Sequence, residues 1–376
     1  MTTIDALETP RLLVDEARML RNVARMRAHV RALGVTLRPH VKTAKCMEAA
    51  RPAMETPHGP ITVSTLKEAE HFLAHGVTDI LYAVGITPNK LDHVVDLRRR
   101  GARLAIVLDG VAAARLVAAK SRAASDPLDA LIEIDCDGHR AGVRPDAPEL
   151  IDIGRALAAG GARLAGVMTH AGGSYDCRST EAISAMAAQE RDAVVRAATR
   201  LRAAGLQCPI VSVGSTPTAT FATSLAGVTE VRAGVFVFFD LVMAGLGVCR
   251  VEDIALSVLT SVIGHQREKG WTIVDAGWMA MSRDRGTASQ PVDQGYGLVC
   301  DAGGAPLDDL VMIAANQEHG IVAARPGATR ATPELPVGTL LRILPNHACA
   351  TGAQFDRYHL LRGAEIAGVW PRLNGW

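Results

Sequence analysis

The chain reads RPHVKTAK at residues 38–45, directly after the apolar, β-branched run at residues 35–37 and directly before a helical stretch. This order predicts a parallel strand that ends beside Lys42. A lysine at a strand end, beside histidine and arginine, can have its pKa lowered far enough to act as a Schiff-base nucleophile. Taken alone, the segment is equally consistent with a solvated lysine that opens a helix, so the rest of the chain must decide.

Apolar, strand-like runs alternate with amphipathic helical stretches through the first two-thirds of the chain. Eight parallel strands with helical crossovers within about 250 residues are typical of an α/β fold, the TIM-like (β/α)8 barrel. An open doubly wound sheet would carry a GxGxxG segment after an early strand, and we find none. The predicted strands are 35–41, 61–64, 79–84, 103–109, 130–135, 164–169, 209–213 and 228–232, and the predicted helices include 88–100, 111–123 and 180–204.

The pattern changes after about residue 250, where strands follow one another without long helices, which indicates a mostly antiparallel β domain. We therefore predict a barrel domain at residues 1–248 and a β domain at residues 249–376, with about the first ten residues able to pack on the β domain. The strands predicted in the second domain are 254–263, 271–275, 296–301, 310–315, 339–344 and 364–370.

Bulk composition excludes several classes of protein. At 376 residues the chain exceeds what one hydrophobic core usually supports. Its formal charge of +1 and lack of a basic stripe give no support to a nucleic-acid partner. No apolar stretch approaches the roughly 18–20 residues of a membrane span, and the N-terminus lacks a signal-peptide pattern. The seven scattered cysteines fit neither a disulfide framework nor a CxxC zinc site, so we expect a cytoplasmic protein without a membrane partner.

Polar and glycine-rich segments follow the predicted barrel strands. The C-terminal strand ends of a barrel meet at one mouth, and the loops after strands seven and eight often bind phosphate through backbone N–H groups. Each glycine alone is consistent with an ordinary turn. Together, a lysine, a phosphate cradle and two arginines at one mouth indicate a phosphorylated carbonyl cofactor such as pyridoxal 5′-phosphate (PLP). The segments are Lys42, DGHRAG at 137–142, HAGGSY at 170–175, GSTPT at 214–218 and RAGV at 232–235.

The second domain contains PNHACAT at residues 345–351, after a strong strand. Two residues apart on an extended segment, His347 and Cys349 would point to the same side and could reach one ion. Imidazole with thiolate is a zinc-type ligand pair. The alternative is a buried histidine beside a small packing cysteine. A second polar cluster, NQEHG at 316–320, is also consistent with a hydrogen-bonded turn.

Several separated motifs together resemble the fold-type III PLP enzymes, the alanine-racemase-like group. Within that group the chain resembles the branch of metal-dependent D-serine dehydratase, D-threo-3-hydroxyaspartate dehydratase and D-threonine aldolase, and among these it is most similar to the hydroxyaspartate dehydratase. The resemblance covers essentially the whole chain. The motifs are RPHVKTAK, DGHRAGV, THAGGSY, VGSTPT, VRAGVFVFFD, DAGWMAMSRDRGT, NQEHG and PNHACATG.

The resemblance implies roles for individual residues. Lys42 would hold PLP covalently and act as the catalytic base, Arg140 would contact the phenolic oxygen of the cofactor, and His170 would lie against its ring. Arg232 would face the pyridine nitrogen. The remaining implied cofactor-binding residues are Tyr175 and, for the phosphate, Ser215, Thr216, Gly234 and Val235, and the implied metal ligands are His347 and Cys349.

The implied activity is a PLP- and divalent-metal-dependent dehydration of D-3-hydroxy amino acids. D-threo-3-hydroxyaspartate would give oxaloacetate and ammonia, and D-serine would give pyruvate. Zn²⁺ is the expected metal, with Mn²⁺, Co²⁺ and Mg²⁺ as alternatives, and a homodimer is implied. A cation for the second carboxylate of hydroxyaspartate could come from Arg283, Arg285 or His319.

Three other activities remain open from the sequence. A D-threonine aldolase would carry Asp as its second metal ligand, where this chain has Cys349, which favours dehydration. A racemase would need an acid/base tyrosine from the second domain, where Tyr296 and Tyr358 lie. A single-barrel PLP carrier would lack the second domain altogether.

Overall fold

The computed structural model describes residues 3–328 and 332–376, which form two compact units. The barrel unit comprises Ala24–Gly234 with Gly375–Trp376. The β unit combines the described residues up to Val23 with Val235–Asn374. The division therefore falls at residue 234, whereas the sequence analysis placed it at residue 248 and assigned a shorter N-terminal segment to the β domain.

The strands are β1 Arg11–Asp15, β2 Thr36–Leu37, β3 Ile61–Val63, β4 Asp79–Gly85, β5 Arg103–Leu108, β6 Asp129–Ile134, β7 Arg163–Thr169, β8 Ile210–Val213, β9 Glu230–Val231, β10 Leu256–Gln266, β11 Trp271–Val274, β12 Leu298–Asp301, β13 Pro306–Ala315, β14 Gly320–Ala324, β15 Leu340–Leu344, β16 Arg357–Arg362 and β17 Glu365–Pro371. The α-helices are α1 Glu16–Ala32, α2 Met47–Ala50, α3 Leu66–Ala74, α4 Leu91–Arg99, α5 Val111–Ala124, α6 Glu149–Ala159, α7 Thr180–Ala203, α8 Thr216–Phe221, α9 Leu241–Gly245, α10 Trp278–Met281 and α11 Ala348–Gly352.

The barrel unit contains the predicted eight parallel strands, in the order β2-β9-β8-β7-β6-β5-β4-β3. The ring closes just beyond β2, where a parallel bridge joins His40 to Thr62. There the Val41 N–H donates to Thr62 O at 2.9 Å, and the Thr62 N–H donates to Pro39 O at 2.9 Å. The TIM-like barrel expected from the sequence is confirmed. Because pairing ends at residue 41, Lys42 begins the first loop of the C-terminal mouth.

The barrel interior is packed with aliphatic side chains. Leu81, Val107, Leu131 and Met168, from four successive strands, form a buried cluster. Parallel strands covered on both faces read as continuous apolar runs, and β6 is buried from residue 130 to residue 134. This packing makes the barrel a rigid support for the loops at its C-terminal mouth.

The N-terminal mouth carries a ring of alternating charges. The first residues of four successive strands, β4 to β7, are Asp79, Arg103, Asp129 and Arg163. Arg163 Nε donates to Asp129 at 2.7 Å, and Arg103 lies 3.5 Å from Asp79. Since these charges are paired with one another, the ring has a structural role.

Arg38 also belongs to this end of the barrel. The sequence analysis expected an arginine beside Lys42, and for Arg38 this was wrong. Its Nε donates to Glu230 at 2.8 Å and its Nη1 to Asp79 at 2.7 Å, carboxylates from the first residues of β9 and β4. The guanidinium points away from the C-terminal mouth because both of its acidic partners lie at the N-terminal end of the barrel.

We expect Arg38→Met to lower the free energy of unfolding by about 3 kcal/mol, because the buried Glu230 carboxylate would lose its cation. The matched control is Arg103→Met, whose side chain is 73% exposed. That change should cost within about 1 kcal/mol, as exposed ion pairs do. Urea denaturation followed by circular dichroism measures both. Equal losses of unfolding free energy in the two variants would show that burial does not strengthen the ion pairs of Arg38.

The β unit contains a nine-stranded, mostly antiparallel sheet in the order β11-β14-β13-β12-β15-β10-β1-β16-β17. A further pairing of β11 with β10 closes six of these strands into a ring. The predicted antiparallel β domain is confirmed. Three strands were missed, namely β1, β14 and β16. β1 is short, and its partner strands lie far away in the sequence. It pairs antiparallel with β10 and parallel with β16.

Among the described residues, no helix combines the length and the apolar character needed to cross a bilayer.

Candidate active site

The loop after β2 presents Lys42 to solvent. Val41 and Thr43, on either side, are buried, while the Lys42 side chain is exposed. The Lys45 N–H donates to Val41 O at 2.7 Å, which closes a turn around Lys42. Lys45 has a φ of 45°, a conformation unusual for a residue with a side chain, and its Nζ lies 3.1 Å from buried Glu68. The turn is thus fixed at both ends.

Two histidines at this mouth are kept neutral. Burial lowers the pKa of His40 well below its usual value, and the charges of Lys42 and Arg232 act in the same direction. Burial also lowers the pKa of His170 to about 4; a hydrogen bond with Gly214 opposes this, while the charges of Lys42, Arg140 and Arg232 assist it. His170 Nδ1 lies 2.6 Å from Gly214 O. The charges of Lys42, Arg140 and Arg232 all act on His170, so three cations lie near one another at this mouth.

Arg232 is held rigidly inside the barrel. Its Nη1 donates to Ser212 Oγ at 2.7 Å and its Nη2 to Thr169 O at 2.5 Å. Ser212 in turn donates to Glu230 at 2.7 Å. Burial lowers the pKa of Arg232, and the charges of Glu230 and other carboxylates oppose that shift. The guanidinium has a fixed direction and can only donate hydrogen bonds.

The loops after β8 and β9 have the features of a phosphate cradle. Thr216 Oγ1 is buried and finds no hydrogen-bond partner in the part of the chain that the structure describes. A Cβ at Gly234 would lie 2.6 Å from His40 O, and a Cβ at Gly214 would lie 1.8 Å from Arg232 O. Both positions need glycine because backbone passes so close. The buried Thr216 hydroxyl, with a hydrogen bond to spare, fits a phosphate oxygen of PLP.

Of the other predicted cofactor residues, Arg140 and Tyr175 are exposed and Val235 is buried. Arg140 is exposed, and its Nη2 lies 3.3 Å from Glu133. Tyr175 ends the 3₁₀ turn Gly172–Tyr175, with its ring centroid 6.4 Å from that of His170. Val235 is buried and begins the 3₁₀ turn Val235–Val237 of the β unit.

Sequence reasoning missed Glu190 in the middle of α7. It is 1% exposed. Its Oε1 accepts hydrogen bonds from the Ala171 and Gly214 N–H groups, both at 3.0 Å, and its Oε2 accepts one from Thr218 Oγ1 at 2.7 Å. Burial raises the pKa of Glu190, and these hydrogen bonds oppose that shift. The sequence signal that could have identified Glu190 was an acidic residue on the apolar face of an amphipathic helix.

The β unit brings His347 and Cys349 together, although not on an extended segment as the sequence analysis expected. Helix α11 begins directly after His347, so Cys349 lies in its first turn. The two side chains still meet, because the His347 ring is hydrogen-bonded to the Cys349 thiol. His347 Nδ1 also lies 2.7 Å from Asp284 Oδ2. Burial alone would lower the pKa of His347, but Asp284 and Cys349 raise it to about 11.

Two acidic residues that the sequence analysis did not single out position this segment. Asp284 engages His347 Nδ1, which leaves Nε2 as the nitrogen able to bind a metal. Asp240 is buried and accepts from the Met243 and Ala348 N–H groups, both at 3.0 Å. Burial raises the pKa of Asp240. The start of α11 is therefore tied to the segment that carries Asp240.

Imidazole and thiolate, the donors of His347 and Cys349, are both ligands that zinc accepts. Across residues 3–328 and 332–376, no group of three or more His, Cys, Asp or Glu side chains is arranged to hold a metal ion. A His–Cys pair leaves coordination positions for water and for an oxygen of the substrate. Open positions are what distinguish catalytic zinc sites from closed structural ones.

The predicted substrate-binding residues occupy three different settings within the β unit. Arg283 is exposed, with its guanidinium carbon 4.4 Å from the Trp278 ring centroid. Arg285 Nη2 donates to Asp293 at 2.8 Å. His319 is exposed in the loop after β13, where the Asn316 N–H donates to His319 O.

Two family models together match most of the chain: "Alanine racemase, N-terminal domain" over residues 14–242 and "Putative serine dehydratase domain" over residues 255–361. The D-threo-3-hydroxyaspartate dehydratase of Delftia sp. (strain HT23) is 56% identical over 377 residues, 100% of this chain and 99% of that protein. The chain belongs to the alanine-racemase-like dehydratase family. The solved structure of the Delftia enzyme aligns with a TM-score of 0.98 over 100% of both chains.

Other members of the family differ in their named reactions. The D-serine dehydratase of Dictyostelium discoideum is 30% identical, covering 95% of this chain and 94% of its own. The D-threonine aldolase of Arthrobacter sp. is 27% identical, covering 97% of this chain and 92% of its own. A solved D-threo-3-hydroxyaspartate dehydratase with a cysteine-to-alanine change, with a TM-score of 0.97 and 100% of both chains covered, is described as metal-free. The resemblance inferred from the sequence motifs is confirmed.

Proposed function

We propose that the chain is a PLP- and divalent-metal-dependent dehydratase of D-3-hydroxy amino acids. It would convert D-threo-3-hydroxyaspartate to oxaloacetate and ammonia, and D-serine to pyruvate. The observation that carries this proposal is the His347–Cys349 pair in a chain with full-length similarity to a D-threo-3-hydroxyaspartate dehydratase. We further propose a cytoplasmic homodimer that acts on small D-amino acids.

The residues of the barrel mouth suit PLP, which when bound to an amino acid supplies an electron sink for the negative charge left at Cα. Lys42, which would also hold the cofactor, would take the α-proton. Arg140 would meet the phenolic oxygen, and the neutral His170 ring would lie against the pyridine ring. Arg232, which only donates hydrogen bonds, would keep the pyridine nitrogen unprotonated and so limit the strength of the sink. Tyr175 would join this pocket, while Ser215, Thr216, Gly234 and Val235 would hold the phosphate.

The residues of the β unit suit a Lewis-acidic metal. A β-hydroxyl is a poor leaving group, and a divalent metal would bear the negative charge that develops on its oxygen. His347 and Cys349 would hold the ion, and thiolate with imidazole favours Zn²⁺ over Mg²⁺, with Mn²⁺ and Co²⁺ as alternatives. Asp284 would orient the imidazole and increase its basicity as a ligand.

Retro-aldol cleavage is the second candidate, supported by the similarity to D-threonine aldolase. That reaction needs a base for the β-hydroxyl proton and breaks Cα–Cβ, leaving glycine and an aldehyde. The family resemblance implies Asp as the second metal ligand of such aldolases, whereas this chain has Cys349. Cys349 at this position therefore favours dehydration over retro-aldol cleavage.

The deciding experiment offers D-threo-3-hydroxyaspartate, D-serine and D-threonine separately to enzyme loaded with zinc and PLP. Keto acid and ammonia are assayed beside glycine and aldehyde. We expect oxaloacetate and ammonia from hydroxyaspartate, lost on treatment with a chelator and restored by Zn²⁺. Glycine and aldehyde as the main products would make the chain an aldolase.

We expect Arg283→Ala to lower kcat/KM for hydroxyaspartate by about 10–100-fold relative to D-serine, the loss of one hydrogen bond to a charged group. Arg283 is the stronger candidate because Arg285 already donates to Asp293. Arg285→Ala is the matched control, and His319→Ala completes the set. If Arg283→Ala reduces both substrates equally, the second carboxylate is bound elsewhere.

A further inference from the structure

Glu190 interrupts the apolar face of α7. The buried residues of this helix recur at intervals of three and four, and Glu190 occupies a position between Ala187 and Val194 where an apolar side chain would be expected. A buried carboxylate destabilises a fold unless hydrogen bonds compensate its lost hydration. Its three hydrogen bonds supply that compensation, and all of them reach the loops of the catalytic mouth.

The three donors belong to three different segments. Ala171 lies in the loop after β7, Gly214 in the loop after β8, and Thr218 in the first turn of α8. One carboxylate therefore fixes the distance between two neighbouring barrel loops and the orientation of the short helix that follows. Three hydrogen bonds converge on one side chain that is 1% exposed, which makes this a stiff connection.

Two of these contacts, those with Gly214 and Thr218, lead on to cofactor-binding candidates. Gly214 donates its N–H to Glu190, and its carbonyl oxygen lies 2.6 Å from His170 Nδ1. Thr218 Oγ1 lies 2.9 Å from Ser215 Oγ. Between them, the buried Thr216 hydroxyl has no hydrogen-bond partner among the described residues. Glu190 is thus joined by direct hydrogen bonds to residues 214–218, the segment expected to bind the phosphate.

We propose that Glu190 is a positioning residue that preorganises residues 214–218 to receive the phosphate of the cofactor. It touches neither cofactor nor substrate and acts through Gly214 and Thr218. This inference rests on the proposed function, since the phosphate belongs to the cofactor named there. It makes a selective prediction: loss of Glu190 should weaken binding of PLP more than binding of pyridoxal, which lacks the phosphate.

The test measures dissociation constants of PLP and of pyridoxal for the full-length apoenzyme by absorbance titration. For Glu190→Ala we expect the preference for PLP over pyridoxal to fall by about tenfold or more. Glu190→Gln keeps an oxygen for the two N–H groups and a polar contact with Thr218, so it should stay within about threefold of wild type. Glu181→Ala, an exposed change on the same helix, is the control and should leave the preference unchanged.

Thr218→Val provides a second route if Glu190→Ala does not fold, because it removes the hydroxyl that Glu190 binds. The same fall in preference is expected from it. Equal weakening of PLP and pyridoxal would mean a general structural role and would overturn the proposal, as would an unchanged preference. A glutamine variant as impaired as the alanine variant would assign the effect to charge and also overturn it. Wild-type enzyme that shows no preference for PLP would instead contradict the proposed cofactor.

Discussion

Lys42→Ala is expected to abolish covalent retention of PLP and to lower dehydratase turnover by about 10⁴-fold or more, because one amine serves both as the attachment point and as the base. The exposed side chain between buried Val41 and Thr43 is presented for this role by the turn that Lys45 closes.

Borohydride reduction followed by peptide mass spectrometry measures this directly, since reduction fixes the cofactor to whichever lysine holds it. The mass of the reduced cofactor should appear on the peptide with Lys42 in wild type and on no peptide in Lys42→Ala. Lys45→Arg is the control, because it retains a cation for Glu68 and should keep the cofactor on Lys42. Cofactor recovered on another lysine in Lys42→Ala would refute the assignment.

Cys349→Ala is expected to remove the bound metal and to lower dehydration by about 10²–10³-fold, since a Lewis acid contributes several kcal/mol to the departure of a hydroxyl. Cofactor binding should persist, because the residues proposed to hold PLP, apart from Val235, lie in the barrel unit. His347→Ala should behave in the same way. Asp284→Asn should weaken metal binding by about 10–100-fold without abolishing it, as expected for a residue that orients a ligand.

The metal content of each protein after gel filtration, measured by elemental mass spectrometry, distinguishes these outcomes. Cys300→Ala is the matched control, a buried cysteine of the same unit that should retain the full metal content. Zn²⁺ should restore activity to chelator-treated wild type and leave Cys349→Ala inactive. A Cys349→Ala protein that still carries one metal per chain with full turnover would place the metal elsewhere.

Much of the barrel followed from periodicity alone. The strands β4 to β8 were placed to within a residue or so, because each is an apolar run bounded by turns and followed by an amphipathic helix. The strands of the β unit were harder to predict, since β1 and β16 pair with each other from opposite ends of the chain. No local pattern in the sequence marks a partner so distant.

The candidate site divides in the same way. Lys42, His170, Arg232 and the His347–Cys349 pair stand in short motifs at strand ends, where residue type and spacing indicate their chemistry. Glu190 stands inside a helix. Its function depends on three donors from other segments, between 19 and 28 residues away along the chain.

The sequence by itself determined the fold class and the residues available for chemistry, because local periodicity and motif spacing are properties of neighbouring residues. Only the tertiary structure decided which charges meet. It turned Arg38 towards Glu230 and Asp79 at the far end of the barrel, and it brought Asp284 to His347 across 63 residues. It also placed Cys349 in a helix. Such pairings arise from tertiary packing, which brings together residues that are distant in the sequence. They therefore produce no periodic pattern along the chain.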